Sequence, residues 1–154
     1  MKIEHIVIWT NNLEMLKDYY VKFFNGKSNQ KYLNHKTRFE SYFISFESGC
    51  RLELMTIPNI EETAYCNLNY KGITHFAFEV ESKLAVDLKA QELEVAGFPI
   101  IKGPRVTGDG YYEFETKDID GNKIEITTKQ VNCPTGLLLT GSLAQTGGRQ
   151  CVEQ

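Results

Sequence analysis

The sequence has no C-x-x-C pair, no run of lysine or arginine, and no long apolar span. Its four cysteines, Cys50, Cys66, Cys133 and Cys151, stand apart, so free thiols in a reducing compartment are expected. With no basic run, a net charge of −3 and a pI of about 5.7, no nucleic-acid partner is expected. The chain starts Met1-Lys2-Ile3-Glu4 and enters a strand pattern at once, with no leader-like opening. No membrane insertion is therefore expected, and the expected location is cytoplasmic. Histidine is scarce, with three residues, at positions 5, 35 and 75. What is present is ordinary for a globular chain. Apolar residues make up 42% and charged residues 24%, which argues against general disorder. At 154 residues there is room for one domain whose core needs no staple.

The main signal is an internal repeat. Lys2-Ile3-Glu4-His5-Ile6-Val7-Ile8-Trp9 and Gly72-Ile73-Thr74-His75-Phe76-Ala77-Phe78-Glu79-Val80 are both strand-like, and each carries one histidine near its start. After the first, Asn11 or Asn12 is placed to cap a helix, and Leu13, Leu16, Tyr20, Phe23 and Phe24 recur at helical spacing up to Gly26. After the second, Ser82 is the cap, Leu84, Ala85, Leu88 and Ala96 supply the apolar stripe, and Gly97 ends the helix. Alternating segments close each half. In the first they are Tyr42, Ile44 and Phe46, the turn Ser48-Gly49, and then Cys50-Arg51-Leu52-Glu53-Leu54-Met55. In the second they are a short strand at 98–102, a strand at 111–116, the turn Asp118-Ile119-Asp120-Gly121 and a strand at 122–128. The expected class is α+β: two β-α-β-β-β modules, about 1–57 and 72–128, forming a curved eight-stranded open sheet around a cleft. Residues 58–71 are read as a linker. Residues 129–154 fit neither half and are read as a tail outside the 1–128 domain, disordered or not native.

The repeat extends to polar residues. His5 and His75 are 70 residues apart, and Glu53 and Glu125 are 72 apart. Each glutamate lies opposite an apolar strand face, Leu52 and Leu54 or Ile124 and Ile126. One histidine alone would be read as half-buried and satisfied by backbone groups, and one glutamate alone as a solvated side chain. Four matched positions are poorly explained by chance. Two imidazoles and two carboxylates make a site suited to a divalent metal, Zn, Ni, Co, Fe or Mn, one per site. Without thiolate they do not suit a closed structural zinc site, and they leave room for water or substrate. His35 has no counterpart and is read as a surface residue.

These segments resemble the vicinal oxygen chelate superfamily, which includes glyoxalase I, methylmalonyl-CoA epimerase, fosfomycin-resistance proteins, extradiol dioxygenases and bleomycin-binding proteins. Asp18-Tyr19-Tyr20-Val21-Lys22-Phe23-Phe24-Asn25-Gly26 is similar to its helix ending. Arg51-Leu52-Glu53-Leu54 is similar to its first glutamate strand, and Ile73-Thr74-His75-Phe76-Ala77-Phe78 to its second histidine strand. Asp118-Ile119-Asp120-Gly121-Asn122-Lys123-Ile124-Glu125-Ile126 resembles its closing motif, with Ile119 where proline is usual. The resemblance covers about residues 1–128.

The glyoxalase I pattern is the nearest. It implies metal ligands at His5, Glu53, His75 and Glu125. It also implies a lyase or isomerase acting on a small oxygenated substrate through a metal-bound enediolate, with Glu125 as first choice of base and Glu53 as second. The epimerase pattern has glutamine in place of Glu53. Dioxygenases and thiol transferases of the superfamily would leave Glu53 without a ligand role, and a non-catalytic binding protein of the bleomycin-resistance kind is the further alternative. Trp9 stands where glutathione-dependent members carry arginine, so it is read as core packing or as a flat wall for substrate. Arg105 could meet an anionic substrate group or lie on the surface. A homodimer is expected, because an open curved sheet leaves edges and an apolar face to cover. The sequence leaves open whether a site forms within one chain or across two.

Overall fold

Two helices and their apolar faces decide how the halves meet. The computed structural model describes residues 1–61 and 72–130. Most of the expected linker, with Cys66, and residues 131–154, with Cys133 and Cys151, lie outside the described residues. The first half runs β1 (His5–Trp9), α1 (Leu13–Phe24), β2 (Lys27–Ser28), β3 (Tyr32–Asn34), β4 (Phe39–Ser45) and β5 (Arg51–Thr56). The second runs β6 (Phe76–Glu79), α2 (Lys83–Val95), β7 (Ile100–Val106), β8 (Tyr111–Lys117) and β9 (Lys123–Lys129). The fold is α+β with two mixed sheets and no closed barrel. The first sheet has the order β1-β5-β4-β2, with β3 also on β4, and the second has the order β6-β9-β8-β7. In each sheet the first strand lies parallel to the last, β1 on β5 and β6 on β9, and the remaining pairs are antiparallel.

Nine strands are seen among the described residues, against eight expected, because the weakly patterned segment after α1 forms two short strands. β1 and β6 both end their hydrogen-bonded order, so the two sheets do not join into one ladder. β9 extends to Lys129, one residue into the segment read as tail.

Helix α1 buries Leu13, Leu16, Tyr20 and Phe23 of the expected stripe and Tyr19 as well, while Phe24 of that stripe is half-buried. Two details differ. Asn12 is the N-cap without a side-chain cap hydrogen bond; its Nδ2 instead donates to Asp120 Oδ1 in the second half at 2.8 Å. The left-handed residue that ends the helix is Asn25 (φ 53°), not Gly26. Gly26 is needed for room, since a Cβ there would stand 2.5 Å from Ile44 Cγ2. Helix α2 starts as expected, with Ser82 Oγ accepting from Ala85 N–H at 3.1 Å. Its buried face is Val86, Ala90 and Leu93, whereas Leu84 and Leu88 of the expected stripe are exposed. Apolar residues surround this helix, so spacing alone does not choose a face. No helix among the described residues is long and apolar enough to cross a membrane.

The halves share one core. Ile8, Tyr42, Ile44, Leu52 and Leu54 of the first sheet and Phe114, Ile124 and Ile126 of the second belong to a single buried cluster with both helices. Helix α1 bridges them. Phe24 lies 4.4 Å from Phe78, and Tyr19 lies 4.7 Å from Phe98, between ring centroids. Buried Tyr20 donates its hydroxyl to Asp118 Oδ2 at 2.7 Å. Asp118 also accepts from the backbone N–H groups of Asp120 and Asn122 and from the Asn122 amide. Burial pushes the Asp118 carboxyl up despite these four donors, so losing one donor leaves a costly unmatched oxygen. Tyr20→Phe is expected to destabilise the fold by about 1–3 kcal/mol, measured by urea or thermal unfolding.

Candidate metal centre

Strand alternation sets the first half-site. On β1, Ile6 and Ile8 turn toward the core, so His5, Val7 and Trp9 take the other face. The β1–β5 register puts Val7 beside Glu53, and Phe43 of β4 lies across from Glu53 on the far side. His5 Nε2 stands 3.8 Å from Glu53 Oε2. The other ring nitrogen, Nδ1, is 2.5 Å from Glu4 Oε2. Glu4 is held in turn by Arg51, whose Nε donates to Glu4 Oε1 at 2.8 Å and whose guanidinium lies 4.0 Å from the Phe43 ring centroid. The His5 hydrogen bond, helped by the hydrogen bond and charge of Arg51, holds the Glu4 carboxyl below its ordinary range against desolvation.

The second half-site repeats the plan. His75 immediately precedes β6, Ala77 pairs with Glu125, and Phe76, Phe78, Ile124 and Ile126 pack on the core side. His75 Nε2 lies 3.4 Å from Glu125 Oε2, and Nδ1 lies 3.0 Å from Thr74 Oγ1. Burial first, and then the nearby Glu113 and Glu115 carboxylates, push the Glu125 carboxyl up, with His75 opposing.

The structure thus brings His5 to Glu53 and His75 to Glu125. It does not bring the four together within one chain: no group of three or more His, Cys, Asp or Glu placed to hold a metal occurs among the described residues. The cause is topological. Both pairs lie on the faces of their sheets turned away from the common core, and that core lies between the sheets. Each pair sets one imidazole nitrogen against one carboxylate oxygen. Two ligand atoms about 2.1 Å from one ion are about 3.0 Å apart at a right angle and about 3.4 Å at the tetrahedral angle. The 3.4 Å of His75 and Glu125 matches the second value, and the 3.8 Å of His5 and Glu53 is wider than either. Both separations also exceed the span of a direct N–H···O bond.

Arg105 and Trp9 take definite positions. Arg105, on β7 opposite Glu113, contacts Glu113 Oε1 at 2.8 Å and Glu115 Oε1 at 3.6 Å. Trp9 is 48% exposed on the His5 face, with its ring edge-on to Phe39 at 6.3 Å. That outcome departs from the core-packing reading of Trp9. Tyr112 turns inward and donates to Asp87, whereas Tyr111 shares the Glu113 face. His35 is exposed. Sequence reading missed Glu4, Arg51, Glu113 and Glu115. The last two were within reach of the strand pattern, since Tyr112, Phe114 and Thr116 alternate with Tyr111, Glu113 and Glu115.

Known proteins share this architecture. The sequence profile of the Glyoxalase/Bleomycin resistance protein/Dioxygenase superfamily matches residues 2–126. The uncharacterized protein YqjT of Bacillus subtilis (strain 168) is 36% identical over 58 residues, which is 36% of this chain and 45% of that protein. The match therefore spans less than half of that relative's length. Among solved structures, the trypanothione-dependent glyoxalase I of Leishmania major superposes with a TM-score of 0.66 at 18% identity, covering 83% of this chain and 86% of that one. A glyoxylase/bleomycin resistance protein/dioxygenase domain from Frankia sp. EAN1pec gives a TM-score of 0.68 at 16% identity, over 84% of this chain and 98% of that one. At such identities the structural likeness speaks for the fold alone. The profile match takes in both sheets and all four residues of the two His–Glu pairs, and the chain belongs to the Glyoxalase/Bleomycin resistance protein/Dioxygenase superfamily.

Proposed function

We propose that the protein is a metal-dependent lyase or isomerase of glyoxalase type, acting on a small oxygenated substrate, with each active site completed by a second copy of the chain. The observation that carries this reading is the pair of matched His–Glu half-sites, 3.8 and 3.4 Å across, on outward faces of the two sheets. Setting the first sheet of one copy against the second sheet of another joins His5 and Glu53 to His75 and Glu125. Twofold symmetry then gives two sites, and the free edges at β1 and β6 are covered. The four side chains would hold a divalent ion, Zn, Ni, Co, Fe or Mn, whose charge stabilises a developing oxyanion. Glu125 takes and returns the proton. A carboxylate released from the ion can draw a proton from carbon next to a carbonyl. Glu53 is the second choice.

Trp9 and Phe39 supply a flat apolar wall for the substrate's carbon skeleton. Arg105 is committed to Glu113, so its first role is to hold that buried carboxylate beside Glu125. A cytoplasmic location belongs to the same reading, in keeping with Cys50 as a free thiol. The half-exposed aromatic face formed by Trp9, Tyr32 and Phe39 favours one other reading, a binding protein without catalysis.

Metal analysis of protein purified without chelator is expected to give about one divalent ion per chain, and no ion with unchanged stability in EDTA would favour the binding protein. His5→Ala and His75→Ala are each expected to lose the ion. Unfolding and refolding the two variants together is expected to restore it in mixed dimers, which contain one site with all four ligands. Sites built within single chains would restore none. Glu125→Gln is expected to lower turnover of 2-oxoaldehyde–thiol adducts by at least about 100-fold, and a wild type inactive with every thiol tried would sink the lyase reading. Arg105→Ala is expected to destabilise the fold by about 1–3 kcal/mol in thermal unfolding, by stranding Glu113.

A further inference from the structure

We propose that Glu4, clamped by Arg51, is a positioning residue that fixes His5 as the Nδ1–H tautomer, so that the first half-site is preset for metal and the second is not. This rests on the metal reading given above. An ionised carboxylate only accepts hydrogen bonds, so the 2.5 Å contact between Glu4 Oε2 and His5 Nδ1 requires the ring proton at Nδ1. The Nε2 lone pair is thereby left open on the side where Glu53 stands at 3.8 Å.

Glu4 is well placed to impose this. Its second oxygen accepts from Arg51 Nε at 2.8 Å, and its backbone carbonyl accepts from Arg51 N–H at 3.0 Å. Arg51 itself is the register partner of His5 and lies over the Phe43 ring. The chain of contacts therefore runs from Phe43 through Arg51 and Glu4 to the ring of His5, and His5 in turn meets Phe43 edge-on at 5.6 Å. Each member limits the freedom of the next.

The second half lacks this device. Thr74 Oγ1, at 3.0 Å from His75 Nδ1, can donate or accept, so it is compatible with either tautomer. Lys123 occupies the place two residues before Glu125 that Arg51 occupies before Glu53, and it turns to Glu115 at 3.3 Å instead. A carboxylate behind a ligating imidazole fixes the ring and makes it a stronger donor, an effect of about 10–100-fold in metal affinity. A hydroxyl supplies less of either.

The first test needs no metal. In metal-free ¹⁵N-labelled protein at a pH of about 8, above the ordinary imidazole range, long-range ¹H–¹⁵N spectra report which ring nitrogen carries the proton. Wild-type His5 is expected as Nδ1–H. Glu4→Ala is expected to move it toward Nε2–H, and Glu4→Gln, whose amide can donate as well as accept, is expected to give a mixture of the two tautomers. In chelator competition with Co²⁺ or Zn²⁺, Glu4→Ala is expected to bind about 10–100-fold more weakly, with a smaller loss for Thr74→Ala. The Glu4 side chain is more than half exposed, so its variants are expected to fold. Nε2–H in the wild type, an unchanged tautomer in Glu4→Ala, or wild-type metal affinity in that variant would each overturn the inference. A tautomer that follows Glu4 in a protein that binds no metal would uphold the positioning role and overturn the metal reading instead.

Discussion

One helix is buried by two sheets, and everything about the site follows from that sharing. Helix α1 packs Leu16 and Phe23 into the common core while Tyr20 crosses to Asp118 and Phe24 to Phe78 of the second half. A strand has two faces of opposite direction. Once Ile6, Ile8, Phe76, Phe78, Ile124 and Ile126 are committed to that core, His5, Glu53, His75 and Glu125 must face away from it. The polar residues were placed by the apolar ones. A slip of one residue in β9 would bury Glu125 and expose Ile124, at a cost that no ion pair in this region could offset.

The two outward faces are chemically unlike. The first carries Val7, Trp9, Phe39, Phe43 and Met55 beside its His–Glu pair. The second carries Glu113, Glu115, Glu125, Arg105 and Lys123. Three carboxylates this close repel one another, and Arg105 and Lys123 answer only part of that charge. A cation on the outward face, as in the proposed metal site, would answer the rest. In the proposed dimer the aromatic face of one copy would meet the charged face of the other, an arrangement suited to a small oxygenated molecule, with the carbon skeleton against one and the reacting oxygens toward the other.

Much of this was legible in the residues, for identifiable reasons. The repeat could be read because both halves combine a histidine-bearing first strand with a glutamate-bearing last strand, and strand period converts spacing directly into sidedness. Helix α1 was legible because Leu13, Leu16, Tyr20 and Phe23 form one narrow stripe. Helix α2 was not, since Leu84, Leu88 and Val95 offer an apolar face that the fold leaves outside. Asn25, not the adjacent glycine, takes the left-handed position, and Gly26 serves instead to leave room for Ile44. Trp9 looked like core from its bulk, yet its parity with His5 puts it on the open face. The Arg51–Glu4–His5 relay depends on side-chain reach between strands, and spacing along the chain does not report that.

The repeat also explains why two equivalent glutamates need not share one task. The β4–β5 register sets Phe43 opposite Glu53, and the β8–β9 register sets Glu115 opposite Glu125. Two residues earlier on the same strands stand Ser41 in one half and Glu113 in the other. Partial burial first, and then the neighbouring carboxylates, push the Glu125 carboxyl above its ordinary range, with His75 opposing. Glu53 has an aromatic ring where Glu125 has a charge. The same residue type has thus been given two environments by different residues on the neighbouring strand. Glu125 and Glu53 therefore stand in unlike surroundings although the repeat makes them equivalent, which is the physical ground for proposing unlike roles for them.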